Sequence, residues 1–256
     1  MNITINDKKK KELFISTFHL LKNSASHINA SFSAKNVHIQ GMDKSHVCLF
    51  DLNLKKDWFG VYDVKEDTNI CFDSNIFYSI ISTKCEDQHL IIKKIEDDSL
   101  SIELLNGDKK SDYSKFFTMP LIEYEYDEMN IPDTEYDAEL SLPAKKVTDM
   151  LSQLSNFGDD INIKCSDDFV DFKSKGTSGE MRVNIPIDDM SSYSVVEGED
   201  INLTYSLIYI SKMCITNKLS SDIEFCLSNE CPMKIKYELG NDSSLLFYIA
   251  PKLSEE

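Results

Sequence analysis

An internal repeat is the feature that most constrains how this chain can fold. Apolar residues near the start of the second half reproduce those of the first half at one constant sequence offset and without a gap. A repeat of this length marks a supersecondary unit that is present more than once. The chain is therefore expected to contain two similar domains. The matched pairs near the start of each repeat are Phe14 and Val147, Phe18 and Leu151, Leu21 and Leu154, Ile28 and Ile161, Val37 and Val170, and Ile39 and Phe172.

Further along, Ile70 and Phe72 match Ile201 and Leu203 with a shift of two residues. Later pairs return to the offset that separates Phe14 from Val147, so the similarity extends over most of each repeat. These later pairs are Leu90 and Ile223, Ile92 and Phe225, Leu100 and Met233, and Ile102 and Ile235.

Periodic apolar residues predict helices and strands in the same order in each repeat. Residues spaced as on one face of a helix predict four helices. They span about residues 8–22, 74–84, 145–156 and 205–218. Alternating apolar residues, as in 28–32 and 161–165, predict strands, and the pairs Asn106-Gly107 and Gly240-Asn241 predict turns. The fold class is α+β, with two helices packed on antiparallel sheets in each domain.

An acidic segment, LIEYEYDEMNIPDTEY at 121–136, separates the two repeats. Its simplest interpretation is a solvated linker. Met129 and Ile131 are apolar, however, and would be exposed in this charged strip unless they form part of a contact surface. Exposed apolar residues rimmed by charge are a common form of peptide-docking surface. We predict an N-terminal domain at 1–120, an interdomain connector at 121–136 and a C-terminal domain at 137–256.

The charge distribution is uneven. The formal net charge of −17 argues against a nucleic-acid-binding protein, because phosphates must be neutralised by lysine and arginine. The four predicted helices nevertheless total +8, which leaves −25 on the rest of the chain. Arg182 is the only arginine, which argues against bidentate reading of bases. The helices are basic islands in an acidic protein.

Signals for membrane insertion, secretion, zinc binding and cofactor binding are lacking in the sequence. It has no run of about 18 apolar residues and no charged-then-apolar leader, so we expect a soluble intracellular protein. Seven scattered cysteines with no CxxC pair indicate reduced core thiols, with no metal site and no cofactor.

Motifs of nucleotide-binding proteins, serine hydrolases and zinc proteases are also lacking, so we do not expect an enzyme. Four acidic pairs could in principle hold metal ions, but each is expected in a turn between strands. One alternative stays open, a metal-dependent nuclease that uses Asp159 and Asp160. The pairs are Asp97-Asp98, Asp159-Asp160, Asp167-Asp168 and Asp188-Asp189.

Several segments resemble the proliferating cell nuclear antigen (PCNA) family, in order along the chain. They are GMDKSHVCLFDLNL at 41–54, the connector ending NIPDTEY, LSNFGDDINIKCSDDFVDFKSKGTSGEM at 154–181, LTYSLIYI at 203–210 and the ending LLFYIAPKL. The resemblance implies a DNA sliding clamp, a closed homotrimeric ring of six similar domains whose helices line a hole for duplex DNA. Such a processivity factor contacts the sugar-phosphate backbone without reading sequence, in DNA replication and DNA repair.

The resemblance also implies three surfaces. The first is a PIP-box binding pocket, which would tether DNA polymerase, clamp loader, flap nuclease or ligase through short peptide motifs. The second is the subunit interface, formed by edge strands at about 111–118 and 177–185. The third is the DNA-facing surface of the helices. The pocket residues would be Met42, His46, Val47, Leu49, Met129, Ile131, Pro232, Tyr248, Ala250, Pro251 and Leu253; for Val47 and Leu49, core packing is an equal alternative. The subunit interface would include Tyr113, Phe116, Phe117, Ser178, Met181 and Val183. The DNA-facing residues would be Lys8, Lys9, Lys10, Lys11, Lys22, Lys84, Lys145, Lys146, Lys212 and Lys218.

The helices depart from the family at positions that are commonly basic. These positions are Asp149, Ser152, Asn156, Ile208 and Ile215 in this chain. DNA contact is therefore expected to be looser than in the family. An alternative is a clamp-fold scaffold for protein partners that no longer encircles DNA, for example in transcription or repair. The expected location is the nucleus, or the cytoplasm of a host cell if the protein is viral, and no membrane is implied.

Overall fold

The chain forms two compact units. A computed structural model describes residues 1–83, 87–106, 113–123, 129–132, 134–198 and 201–252. Unit 1 comprises Met1–Lys44, Phe50–Met129 and Glu238–Leu245. Unit 2 comprises Ser45–Leu49, Asn130–Tyr237 and Leu246–Glu256. Each half of the chain contributes nine strands and two helices to the described residues.

The first half of the chain arranges its strands in two groups. Strands β5, β1, β7, β8 and β9 form a five-stranded sheet in that order, while β4, β3, β2 and β6 are neighbours in another. The elements are β1 (Asn2–Ile5), α1 (Lys8–Ser24), β2 (His27–Phe32), β3 (Asn36–Met42), β4 (Cys48–Lys55), β5 (Val61–Asp63), β6 (Thr68–Asp73), α2 (Ser74–Ile81), β7 (Gln88–Glu96), β8 (Ser99–Asn106) and β9 (Lys115–Pro120).

The second half repeats this arrangement. Strands β14, β10, β16, β17 and β18 are neighbours in that order, and β13, β12, β11 and β15 form a four-stranded sheet. The predicted α+β fold of two similar domains is confirmed. The elements are β10 (Ala138–Pro143), α3 (Ala144–Leu154), β11 (Asp160–Cys165), β12 (Phe169–Gly176), β13 (Gly179–Pro186), β14 (Ser192–Val195), β15 (Ile201–Ser206), α4 (Leu207–Met213), β16 (Asp222–Leu227), β17 (Met233–Gly240) and β18 (Ser243–Ile249).

The repeated apolar positions form the cores. All twelve residues of the six early pairs are at most 5 % exposed. In unit 1 the core is aromatic: the Phe77 ring centroid lies 4.7 Å from that of Phe18 and 4.6 Å from that of Phe72. In unit 2, Val147 and Leu151 occupy the positions that match Phe14 and Phe18. The two cores therefore share positions but differ in chemistry.

The only tryptophan belongs to the core of unit 1. Trp58 is 1 % exposed, and its indole N–H donates to the carbonyl oxygen of Leu239 at 3.0 Å. Its ring centroid lies 6.2 Å from that of Phe14. The equivalent position in the second repeat is Ser191, so unit 2 has no matching indole.

The start of each helix in unit 1 is set by a capping aspartate. Asp7 accepts a hydrogen bond from the Lys10 backbone N–H at 2.8 Å, and Asp73 accepts two at 2.9 Å at the start of α2. Such caps satisfy backbone donors that have no partner within the helix. They explain why α1 and α2 begin at the predicted positions.

Helix α4 is shorter than the sequence predicts. The prediction of residues 205–218 was wrong at both ends, because Tyr205 and Ser206 belong to β15 and pair with β11, and the helix ends at Met213. Lys218 therefore lies outside the helix. Helix α2 likewise ends at Ile81. The observed helices α1 to α4 carry net charges of +4, 0, +1 and +1, so the positive charge is concentrated on α1.

The predicted turn after β17 is present. Gly240, Asn241 and Asp242 all have positive φ angles, between 53° and 81°. Glycine and asparagine are the residues that adopt this region most readily. Among the described residues, no helix has the length and apolar character needed to span a bilayer.

Candidate functional site

The GMDKSHV segment connects β3 with β4. Gly41 packs against the buried ring of Phe50, where an added Cβ atom would lie 2.5 Å from Cζ. A side chain at this position would clash, which explains the glycine. The following loop includes the exposed residue His46, whose φ of 57° is left-handed. Histidine is among the non-glycine residues enriched in this region.

The chain after β18 is held within unit 2 by backbone hydrogen bonds. The Ala250 N–H donates to the Val47 carbonyl oxygen at 3.3 Å, and the Lys252 N–H donates to that of Thr204 at 2.7 Å. The Lys252 ammonium also pairs with Asp160 Oδ1 at 2.5 Å. Residues 250–252 are thus hydrogen-bonded to both the 45–49 segment and strand β15. Ala250 remains exposed and Pro251 half-buried.

Aromatic side chains of unit 2 gather beside this tail. In β18, Phe247 and Ile249 are fully buried, whereas Tyr248 lies on the opposite face and is half-buried. Burial raises the pKa of Tyr136, a hydrogen bond with Thr134 lowers it, and the ionisable groups of Cys231 and Tyr248 raise it further.

Tyr136 and Cys231 are candidate site residues that the sequence did not indicate. The Lys234 ammonium lies 4.4 Å from the Tyr136 ring centroid, which is a cation–π distance. Tyr136 ends the acidic connector and Cys231 precedes β17, so neither belongs to a periodic apolar pattern. Only the order NIPDTEY followed by a strand could have suggested Tyr136.

Each predicted pocket residue that the structure describes lies outside the fully buried core. Val47 and Leu49 are half-buried, so burial does not decide between the pocket and core packing for these two. Met42 and Met129 belong to unit 1 and the others to unit 2, and their joint pocket stays a prediction. Leu253 lies outside the described residues. The half-buried residues are Met42, Val47, Leu49, Met129, Ile131, Tyr248 and Pro251, and the exposed ones are His46, Pro232 and Ala250.

Most of the predicted DNA-facing lysines are on the surface of their units. The exposed ones are Lys8, Lys9, Lys145, Lys146, Lys212 and Lys218, and Lys84 lies outside the described residues. Lys10 is half-buried, and its ammonium donates to the Trp58 carbonyl oxygen at 2.7 Å.

The prediction that Lys11 faces DNA was wrong. Its side chain is 4 % exposed, and its ammonium donates to the Gln88 carbonyl oxygen at 2.6 Å. A buried ammonium with a backbone partner cannot contact phosphate, so Lys11 does not face DNA. The partner is distant in the sequence, and helix periodicity gave no sign of it.

Lys22 belongs to a small aromatic cluster on α1 and α2. Its ammonium lies 4.3 Å from the Tyr78 ring centroid, and that ring stacks on His19 at 5.3 Å. Burial and the charge of Lys22 lower the pKa of His19. Both effects favour the neutral form of His19.

The two predicted interface strands lie at sheet edges. Strand β9 begins at Lys115 and ends the five-stranded sheet, and β13 ends the four-stranded sheet. Near and on β9, Tyr113 is 87 % and Phe116 is 68 % exposed. On β13, Met181 and Val183 are half-buried. Phe117 is also half-buried, and Ser178 is exposed in the turn that precedes β13.

The acidic pairs do not form a metal site in the described part of the chain. Asp97-Asp98 and Asp167-Asp168 lie in turns as predicted, whereas Asp160 begins β11 and pairs with Lys252. Asp188-Asp189 belongs to a 3₁₀ turn. No group of three or more histidine, cysteine, aspartate or glutamate residues suited to a metal occurs among the described residues.

The six described cysteines are free, and five are buried. Burial raises the pKa of Cys165 to about 11 and that of Cys214 and Cys226 to about 12. Thiols with such pKa values stay protonated at pH 7 and behave as small apolar groups.

Comparison with known protein families covers both halves of the chain. Residues 8–129 match the family described as "Proliferating cell nuclear antigen, N-terminal domain", and residues 130–252 match "Proliferating cell nuclear antigen, C-terminal domain". The chain belongs to the PCNA family. PCNA of Chaetomium thermophilum is 26 % identical over 242 residues, which are 92 % of this chain and 93 % of that protein.

Membership of the PCNA family establishes the general role of the chain. PCNA-family proteins are non-enzymatic sliding clamps that act as processivity factors in DNA replication and in DNA repair. Homotrimers are typical of the family, and nuclear localisation is supported for this chain. The chain is therefore a clamp scaffold and not an enzyme.

Proposed function

We propose that three copies of this chain form a closed ring that encircles duplex DNA and tethers replication and repair proteins. The observation that carries the proposal is the pair of edge strands β9 and β13, each at one end of its sheet. An unpaired strand edge is an aggregation liability unless another strand covers it. Pairing β9 of one copy with β13 of the next gives a head-to-tail contact, which closes into a ring.

Side chains on these edges suit such a contact. Phe116 on β9 is largely exposed, and β13 presents Met181 and Val183. Pairing would cover the Phe116 ring and satisfy the backbone groups of both edges. Tyr113, Phe117 and Ser178 would border the same contact. The predicted domain limits, 1–120, 121–136 and 137–256, form part of this proposal.

Exposed lysines of the helices would face the DNA. They include Lys8 and Lys9 on α1, Lys145 and Lys146 on α3, and Lys212 on α4. A lysine ammonium binds phosphate as a point charge and does not read base sequence. The single arginine is bound to Asp171, so binding would be independent of sequence.

Short peptide motifs of DNA polymerase, clamp loader, flap nuclease or ligase would dock on the tail of unit 2. Tyr248, Tyr136 and Pro251 are only half-buried there, beside the exposed Ala250. Aromatic residues with accessible faces are the usual anchors of a binding hot spot. Apolar and aromatic side chains of a peptide in a 3₁₀ turn would complete their burial.

Loading on circular DNA tests the ring. The purified protein, a compatible clamp loader and ATP are incubated with a nicked circular duplex, which is then either left intact or linearised. A ring stays on the circle and slides off the linear ends. Retention after linearisation, or a solution mass other than that of a trimer, would contradict the proposal.

A scaffold that no longer encircles DNA is the second candidate. Two exposed apolar side chains of the α4 region, Ile208 and Ile215, favour it, because these positions are commonly basic in the family. Asp149 on α3 is also exposed. Failure to load combined with intact peptide binding would support the scaffold.

The nucleus is the expected location, and the cytoplasm of a host cell is the alternative for a viral protein.

A further inference from the structure

The side chain of Gln40 holds the connector at Met129 with both ends of its carboxamide. The Met129 N–H donates to Gln40 Oε1 at 2.8 Å, and Gln40 Nε2 donates to the Met129 carbonyl oxygen at 3.0 Å. Both residues belong to unit 1. One side chain thus supplies the pair of hydrogen bonds that a neighbouring strand would otherwise supply.

Gln40 is buried although the other residues on its face of β3 are only half-buried. In β3, Val37 and Ile39 are buried in the core, while His38 lies on the other face and is half-buried. Gln40 shares the face of His38 but is only 4 % exposed. A buried carboxamide is costly unless it is hydrogen-bonded, and Met129 supplies two of its partners.

Asp51 on β4 orients the carboxamide. Gln40 Nε2 also donates to Asp51 Oδ2 at 3.2 Å, and that oxygen lies 3.0 Å from His38 Nε2. A carboxylate only accepts from Nε2, so Oε1 must point to the Met129 N–H. The side chain is therefore set before any partner binds.

We propose that Gln40 is a positioning residue, which presets Met129 of the connector for an incoming peptide. This inference rests on the proposed binding of short peptide motifs, for which Met129 is a predicted contact residue. A segment that is already ordered loses less conformational entropy when its partner binds. Without Gln40, the connector would have to be ordered at the moment of docking, which would weaken the peptide affinity.

Three variants of the full chain separate positioning from structural support. Gln40→Met keeps the approximate length of the side chain but removes both hydrogen bonds. Gln40→Glu keeps an acceptor for the Met129 N–H but loses the donor and places a carboxylate beside Asp51. The control is Asn53→Ala, on the same face of β4 as Asp51, where Asn53 accepts a hydrogen bond from Asn36 and none from the described residues of the connector.

Two measurements are made on each variant. Hydrogen exchange reports the protection of the Met129 amide. Fluorescence anisotropy reports the affinity for a labelled synthetic peptide with apolar and aromatic anchors. We expect Gln40→Met to show about ten-fold faster amide exchange and about ten-fold lower peptide affinity, because it removes both hydrogen bonds to Met129. Gln40→Glu should show a smaller change in amide exchange, because its carboxylate still accepts from the Met129 N–H. Asn53→Ala should change neither value.

The outcomes distinguish this inference from the proposed function. If the wild-type protein binds no peptide, the peptide pocket is overturned and the positioning role with it. If the wild-type protein binds and Gln40→Met binds equally well, the positioning role alone is overturned. Equal weakening by Asn53→Ala, or unchanged Met129 exchange in Gln40→Met, also overturns it.

Discussion

Arg182 on β13 donates a hydrogen bond to Asp171 Oδ2 on β12 at 2.6 Å. The position equivalent to Asp171 in the first repeat is His38, which lies 3.0 Å from Asp51 on β4. In the second repeat the acidic residue is on β12 and the basic residue on β13. In the first repeat the basic residue, His38, is on the matching strand β3, and the acidic residue, Asp51, is on β4, which matches β13. The repeat preserves a polar pair at this place and reverses its polarity.

The ion pair of Asp171 and Arg182 should make the free energy of unfolding depend on pH below about 4. Burial raises the pKa of Asp171, but hydrogen bonds from Arg182 and Asn184 and the charges of Arg182 and Lys164 together lower it below its ordinary value of 3.8. A lowered carboxyl pKa gives stability that is present above the unfolded-state pKa and lost as the pH falls through the folded-state pKa. Arg182→Gln should therefore unfold at lower urea than wild type at pH 7, with a smaller difference at pH 3.

Lys173→Gln is the matched control for Arg182→Gln. Lys173 pairs with Glu180 between the same two strands, but both of these side chains are well exposed. An exposed pair contributes little. An Arg182→Gln deficit that is equal at pH 7 and pH 3 would contradict the assignment.

Truncation of the paired core leucines should destabilise both halves of the chain. Leu21 and Leu154 are equivalent in the repeat, and both are fully buried. Leu21→Ala and Leu154→Ala should each cost about 2–5 kcal/mol in the free energy of unfolding, measured with urea. Ile208→Ala, at an exposed position of α4, should cost about 0.5 kcal/mol. A cost below about 1 kcal/mol for either leucine would show that the repeat does not define the core.

Disruption of β9 should separate the subunits. Phe116→Asp places a charge on the edge strand where a neighbouring copy is proposed to pair, so the solution mass should fall to that of a monomer. Ile95→Asp is the control, because Ile95 and Phe116 are both 68 % exposed while Ile95 lies on the inner strand β7. A trimer of Phe116→Asp, or a monomer of Ile95→Asp, would place the interface elsewhere.

Neutralising two lysines of α3 should reduce the salt dependence of DNA binding. Each phosphate contact that is lost should lower the slope of log K against log salt concentration by about 0.9. Lys145→Gln combined with Lys146→Gln should therefore lower the slope by up to about 1.8. The control combines Lys35→Gln with Lys65→Gln, two exposed lysines outside the helices. Equal changes in both pairs would indicate unspecific charge attraction.

Removal of the Tyr248 ring should weaken peptide binding without affecting the trimer. Tyr248→Ala should lower the affinity by ten-fold or more, since a buried tyrosine anchor commonly contributes about 2 kcal/mol. Tyr209→Ala, a half-buried tyrosine of α4, serves as the control. Anisotropy gives the affinity and solution mass gives the assembly. A monomeric Tyr248→Ala protein would count against the position of the pocket.

Burial in the core could be predicted because it follows local periodicity. Val37 and Ile39 in β3, and Ile161 and Ile163 in β11, are separated by less buried residues, and the pattern is visible over a few residues. The turn at Gly240 was predictable for the same reason, since its backbone conformation favours few residue types. The family resemblance then supplied the candidate surfaces, which local pattern alone does not specify.

Features that depend on distant residues could not be predicted. Lys11 looks like any other lysine of a basic helix, and only the position of the Gln88 carbonyl shows that it is buried. The late start of α4 depends on the pairing of Tyr205 with Ile161, which extends β15. Gln40 stands at a position of β3 where a polar residue is ordinary, and its hydrogen-bond partner, the Met129 backbone, is distant in the sequence.

Because Trp58 is the single tryptophan, tryptophan fluorescence reports on one half of this protein and not on the other. The buried ring of Trp58 and its bond to Leu239 predict a blue-shifted fluorescence emission that reports on unit 1 alone. Far-ultraviolet circular dichroism would report on both halves together. A difference between the two melting curves would therefore reveal which half of the repeat opens first, with no label added.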